Sequence, residues 1–152
     1  MRKIFIIGMC ILLCACSKTK ETEINTQKGN NESMKEINIL VNGKTLNVKL
    51  EDNSSSEALY SKLEESDIVV EAEDYGNFEK VGELGFSLPK NDKQINVKAG
   101  DLILYQGDKI TLYYSENSWN FTLLGKVTNA NENELREILG KGDVTMTFSL
   151  VK

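Results

Sequence analysis

Apolar and polar residues alternate with a period of two along much of this chain. Ile37, Ile39 and Val41 alternate with polar residues, Asn42-Gly43 follows, and Leu46, Val48 and Leu50 resume the alternation. Successive side chains of a strand point to opposite faces, so each run predicts a half-buried strand. Asn-Gly between two such runs predicts a hairpin, because both central residues of a type I′ turn need positive φ. A second hairpin is predicted over Gly100–Tyr114. There Gly-Asp-Leu-Ile-Leu-Tyr and Ile-Thr-Leu-Tyr-Tyr flank a turn containing Gly107-Asp108. Leu102–Tyr105 is apolar at every position, the pattern of a strand covered on both faces. This hairpin is expected at the centre of a closed sheet.

Further strands are predicted at Asp67–Ala72, from Ile95 and Val97 onward, and at Trp119–Val127. A last one covers Val144, Met146, Phe148 and Leu150, which alternate with Thr145, Thr147 and Ser149. Two short helices interrupt the strands. Ser54-x-x-Glu57 fits a capping box ahead of Ala58, Leu59 and Leu63. Asn131-x-x-Glu134 precedes Leu135, Ile138 and Leu139, and Gly140 provides the stop. Tyr75–Asp92 holds Gly76, Gly82, Gly85 and the only proline, Pro89, and reads as an irregular loop. Its Phe78, Val81, Leu84, Phe86 and Leu88 require it to pack on the domain. About seven or eight strands with few helices predict a mainly β fold, a closed barrel whose two short helices cap its ends.

The N-terminus follows a different logic. Arg2 and Lys3 precede an apolar run, Ile4–Leu13, that is too short to span a bilayer. The next residues, Leu13-Cys14-Ala15-Cys16, resemble the bacterial lipobox. That resemblance implies a signal peptide over residues 1–15 and a lipidated Cys16, with palmitate-type chains holding the protein at the extracytoplasmic face of the cell membrane. Each buried methylene contributes about 0.8 kcal/mol, and stable anchoring takes more than one chain. Residues 16–34 are too polar to offset the cost of ordering and are expected to form a disordered tether. Stretched out, the tether reaches roughly 60 Å. Residues 35–152 form the expected folded domain.

Composition narrows the chemistry. All three cysteines, Cys10, Cys14 and Cys16, lie in the signal segment or at its end, and the chain has no histidine. The domain therefore offers no thiol–imidazole pair for nucleophilic catalysis and no soft ligand set for zinc or copper. Glu71, Glu73, Asp74, Glu79 and Glu83 cluster without the spacing of a calcium loop and read as a solvated acidic edge. No metal and no cofactor is expected. Removing Arg2 and Lys3 leaves 16 basic against 23 acidic residues, and the net charge goes from −5 to −7. Such a chain is a poor partner for nucleic acid, and none is expected.

The order of elements over residues 36–151 resembles cyclophilins. Tyr113-Tyr114 falls where they carry a Phe-Phe pair, Gly125-Lys126-Val127 matches a Gly-Lys-Val, and Val41-Asn42-Gly43-Lys44 stands at their first turn. Gly100–Tyr105 and Tyr75–Pro89 look still more like the small bacterial cyclophilin-like proteins, which are often exported or lipid-anchored and lack a well-defined activity. One departure matters for function. Prolyl isomerases of the cyclophilin type present an arginine from a Phe-His-Arg segment, followed by Gln-Gly-Gly. The guanidinium polarises the prolyl amide and weakens its partial double bond. The corresponding span here, Asp67–Pro89, has no arginine, and Arg136 in the second helix reads as a solvated surface charge.

The resemblance thus implies a non-catalytic module that binds a peptide or small ligand. The alternative is a peptidyl-prolyl isomerase with a degenerate site. No residue is assigned a catalytic role. The residues expected to recognise a ligand are Tyr75, Phe78, Glu79 and Phe86, with Tyr105 and Trp119 on the neighbouring barrel. Aromatic side chains with polar neighbours provide contact area at low entropic cost. The competing reading has Phe78 and Phe86 sealing the barrel and Trp119 packed at its rim.

Overall fold

The computed structural model describes residues 34–152. The segment expected to be a signal peptide, Cys16 and all of the expected tether except Met34 lie outside the described residues. The described part folds as β1 (Glu36–Val41), β2 (Lys44–Leu50), α1 (Ser54–Glu65), β3 (Ile68–Tyr75), β4 (Glu79–Glu83) and β5 (Lys93–Val97), followed by β6 (Asp101–Tyr105), β7 (Lys109–Tyr113), β8 (Asn117–Val127), α2 (Glu132–Leu139) and β9 (Val144–Leu150). The strands run in the order β2-β1-β9-β3-β4-β7-β6-β8-β5, and β2 also pairs with β8. That last pairing closes the sheet on itself and leaves β5 as a flap on β8. Every pairing is antiparallel. No helix among the described residues is long and apolar enough to cross a membrane.

The predicted hairpins form. Asn42 and Gly43 take φ of 48° and 73°, as a type I′ turn requires, and β1 pairs with β2 from Glu36↔Lys49 to Val41↔Lys44. The central hairpin pairs β6 with β7 around Gln106 and Gly107, both at positive φ. The closure of the ring depends on Gly125, which sits opposite Leu50 of β2 and Leu102 of β6. A Cβ at Gly125 would stand 2.6 Å from the Lys49 carbonyl oxygen, so only glycine admits the two strands this close.

One hydrophobic core fills the ring. Alternate residues of β1, β2, β3 and β9 point into it, including Ile37, Val48, Val70 and Phe148, and the two helices add Leu59, Leu63, Leu135 and Leu139. A second, smaller cluster lies on the outer wall around Val97, Ile103, Tyr113 and Phe121. The uninterrupted apolar run of β6 now has its reason. Leu102 and Leu104 face the inner core, Ile103 faces the outer cluster, and all three are buried.

Three expectations are corrected. The first helix is capped by Asn53 rather than Ser54: Asn53 accepts hydrogen bonds from the Ser55 and Ser56 N–H groups, and Ser54 is already helical. Glu57 is thereby one residue too far along to close a box. The predicted box at Asn131 and Glu134 is present. Within Tyr75–Asp92, Glu79–Glu83 is not irregular but forms β4, paired with both β3 and β7. The acidic cluster is likewise not one solvated edge. Glu71, Glu73 and Glu83 are exposed, whereas Asp74 is half-buried and Glu79 is buried.

The remainder of that span, from Leu84 to Asp92, straps across one end of the barrel. Leu84 and Leu88 donate backbone hydrogen bonds to the Asp108 and Gly107 carbonyls. Asn91 reaches Ser54 and Ser55 at the start of α1, and Asp92 accepts from Thr122 of β8.

Candidate functional site

Strand alternation builds a groove on the outer wall of the barrel. Ile110 and Leu112 of β7, and Tyr114 just after it, point inward, so Lys109, Thr111 and Tyr113 must point outward. Register then sets their neighbours: Glu79 of β4 lies opposite Tyr113, Val81 opposite Thr111, and Glu83 opposite Lys109. On the other side Tyr105 of β6 pairs with Lys109. Asn117, Trp119 and Phe121 of β8 complete the wall. Together these residues line a groove of about 390 Å³, at the lower end of the range for small-ligand sites.

The β3–β4 turn delivers two aromatic rings to its rim. Gly76 and Asn77 have φ of 61° and 58°, and Phe78 N–H donates to the Tyr75 carbonyl, so the chain reverses within four residues. A Cβ at Gly76 would lie 2.3 Å from the Phe78 ring. Glycine there lets Phe78 fold back over its own turn toward β7.

A string of aromatic contacts follows. Tyr75 meets Phe78 edge-on at 5.9 Å, Phe78 stacks on Tyr113 at 6.1 Å, Tyr113 meets Phe121 at 6.0 Å, and Phe121 meets Tyr105 at 6.0 Å. With Trp119, six of the eleven aromatic residues in the chain line this groove. That concentration lies on an outer wall, where packing of the barrel interior does not require it. Tyr75 and Trp119 are each 62% exposed, and apolar surface gathered into one patch is what marks an interaction site.

The polar content of the groove is unbalanced. Glu79 is buried, and its Oε2 has no hydrogen-bond partner among the described residues. Burial holds its carboxyl above the usual carboxylate range, and the Tyr113 hydroxyl beside it acts in the opposite direction. The Tyr113 hydroxyl is itself driven well above the ordinary tyrosine range, first by burial and then by Glu79. Asn117 Nδ2 donates to that hydroxyl at 3.1 Å and fixes it in place. Lys109 supplies the one cation among the lining residues, and its Nζ lies 3.3 Å from Glu83 and 3.5 Å from Asp108.

Five of the six residues proposed for recognition meet here: Tyr75, Phe78, Glu79, Tyr105 and Trp119. Phe86 does not. It packs against the inner core from the strap, with Lys62 Nζ 5.9 Å from its ring. The strap turns at Gly85 away from the groove, and spacing alone could not separate Phe86 from Phe78. Tyr113, Phe121, Lys109, Thr111, Val81 and Asn117 were not anticipated as lining residues. The alternation of Lys109, Thr111 and Tyr113 with Ile110, Leu112 and Tyr114 carries the signal that would have found three of them. Arg136 lies elsewhere: it pairs with Glu132 on α2 and rests 5.7 Å from the ring of Tyr114, the inward-facing neighbour of Tyr113.

A closed antiparallel barrel with two helices packed into its core and an aromatic groove on its outer wall defines a cyclophilin-like protein. The description of the Cyclophilin-like family matches residues 39–149, nearly the whole folded domain, and the chain belongs to that family. No curated protein matches the chain.

Proposed function

We propose that this protein is a binding module of the cell envelope, held at the membrane by lipid on Cys16, whose outer-wall groove takes a peptide or small ligand without turning it over. The observation that carries this reading is the row of aromatic rings around a buried, unpartnered Glu79 oxygen. Rigid rings supply affinity, and a single oriented acceptor supplies specificity. Prolyl isomerisation asks for a cation or strong donor at the amide, and a carboxylate repels a carbonyl oxygen instead. Lys109 keeps a second reading open, a weak isomerase working through its ammonium, but two carboxylates already compete for that group.

Paired substitutions test the groove. Tyr75→Ala removes an exposed ring and should leave thermal stability within about 0.5 kcal/mol of wild type. It should abolish enrichment of peptides or metabolites from a random library. Phe86→Ala should cost about 1–3 kcal/mol while enrichment persists in the folded fraction. The opposite pattern places recognition on the strap. In the same preparations Cys16→Ser should move the protein out of the membrane fraction or leave its signal uncleaved, and unchanged membrane association with acyl incorporation would refute the anchor.

A further inference from the structure

We infer that the groove recognises a cation bearing N–H donors, a primary ammonium or a guanidinium, seated against the aromatic faces with one N–H on Glu79 Oε2. This rests on the reading of the groove as the binding site and names the chemistry it selects.

A buried carboxylate oxygen without a partner is costly, and native structures rarely keep one without a use. Glu79 is 9% exposed and lines the groove, and its Oε2 is buried without a hydrogen-bond partner among the described residues. Rotation of the carboxyl toward the groove lets an N–H or O–H from a ligand satisfy it. The surrounding rings favour a positive charge, since the face of an aromatic ring attracts cations most strongly when water is displaced. Lys109 does not reverse the local field. Glu83 and Asp108 place two carboxylates on its single ammonium, so with Glu79 the neighbourhood stays negative.

These two demands select among ligands. An anion or a bare carbonyl meets a carboxylate and is repelled. A neutral alcohol or amide satisfies Oε2 but leaves the ring faces unused. A quaternary ammonium suits the rings but has no N–H for Oε2. Only a cation with donors answers both. The volume of about 390 Å³ accepts one such group with its alkyl stem, whether from a free amine or from a lysine or arginine side chain.

Trp119 is the only tryptophan of the chain and lies in the groove wall, so its emission reports occupancy. The full-length chain is titrated with n-butylammonium, n-butylguanidinium, butyltrimethylammonium and n-butanol. Acetyl-Gly-Lys-Gly-amide and its norleucine counterpart are titrated beside them. We expect n-butylammonium or n-butylguanidinium to bind at least about tenfold more tightly than butyltrimethylammonium or butanol, the factor expected where a buried acceptor is left unpaired. The lysine peptide should exceed the norleucine peptide by a similar factor. A lysine peptide tighter than the free amine identifies a peptide side chain as the source, and the reverse identifies a small amine.

Glu79→Gln should lose about tenfold in affinity for the amine while melting no lower than wild type, because it removes a charge that burial disfavours. Should Glu79→Gln fail to fold, Tyr75→Ala, altered at an exposed ring, must weaken the amine more than butanol. Equal binding of the quaternary and primary ammonium, or an unchanged affinity in folded Glu79→Gln, overturns the inference. Charge-blind binding that Tyr75→Ala abolishes overturns the cation but keeps the groove. Silence of Trp119 toward every probe, with no library enrichment, overturns both.

Discussion

Replacing Lys80 with methionine should destabilise the domain by about 3 kcal/mol, within the range for removing one partner of a buried ion pair. Lys80 points inward from β4, and its side chain is fully buried. Its Nζ donates to the Gly142 carbonyl at 2.6 Å and the Gly140 carbonyl at 3.2 Å, and lies 3.3 Å from Asp74 Oδ1. Three donors thus meet three acceptors, and the β3–β4 hairpin is fastened to the turn between α2 and β9. Methionine keeps the volume and leaves the acceptors unmatched. Asp74 retains the hydroxyl of Tyr114, which donates to it, so the loss stays at the lower end of the range. Adding Asp74→Asn should recover much of it, since a neutral pair needs no counter-charge.

The effect depends on pH in a definite direction. Tyr114 first, and Lys80 after it, hold the Asp74 carboxyl below its ordinary value of 3.8. A depressed folded pKa contributes stability above the unfolded value and loses it as pH falls through the folded one. The gap between wild type and Lys80→Met should therefore be full at neutral pH and narrow below about pH 4. Urea denaturation across pH measures it, and a gap that is flat with pH would mean that packing rather than charge accounts for the loss.

Phe148→Ala should cost about 3–5 kcal/mol. Phe148 lies in β9 between Ile39 of β1 and Ile68 of β3, with no exposed surface. Strands on both sides hold the backbone, so the space left by the ring cannot collapse, and the transfer and cavity terms add. A shift of the urea midpoint at constant slope is the expected signature. A near-neutral result would take Phe148 out of the core.

The two large effects involve residues of very different legibility. Phe148 follows directly from alternation: Val144, Met146 and Phe148 are the buried half of a plainly patterned strand. Lys80 was invisible, as was the strand that bears it. In Glu-Lys-Val-Gly-Glu the acid Glu79 is buried on the outer face and the base Lys80 on the inner face. A rule that equates charge with exposure reads such a segment as loop. What buries these charges comes from distant residues, Gly140 and Gly142 for Lys80 and Tyr113 for Glu79, and no local window contains them. The groove was legible only in outline for a related reason. Aromatic residues near Tyr75 marked the region, but the division between Phe78 and Phe86 depends on where the strap turns away. The inward or outward sense of Tyr113 and Tyr114 required the period of β7 to be followed to its end.

The proposal that the groove binds without catalysing is tested most directly by exchange NMR on an Ala-Pro peptide in the presence of the full-length protein. Cross-peaks between the cis and trans resonances report the isomerisation rate, and line broadening of the same resonances reports contact. With a carboxylate in the groove and no guanidinium, the rate should equal that of the peptide alone, where interconversion takes about 10–100 s at 25 °C. Cross-peaks that grow in within a second or less, and that disappear in Lys109→Met, would contradict this account and make the protein an isomerase.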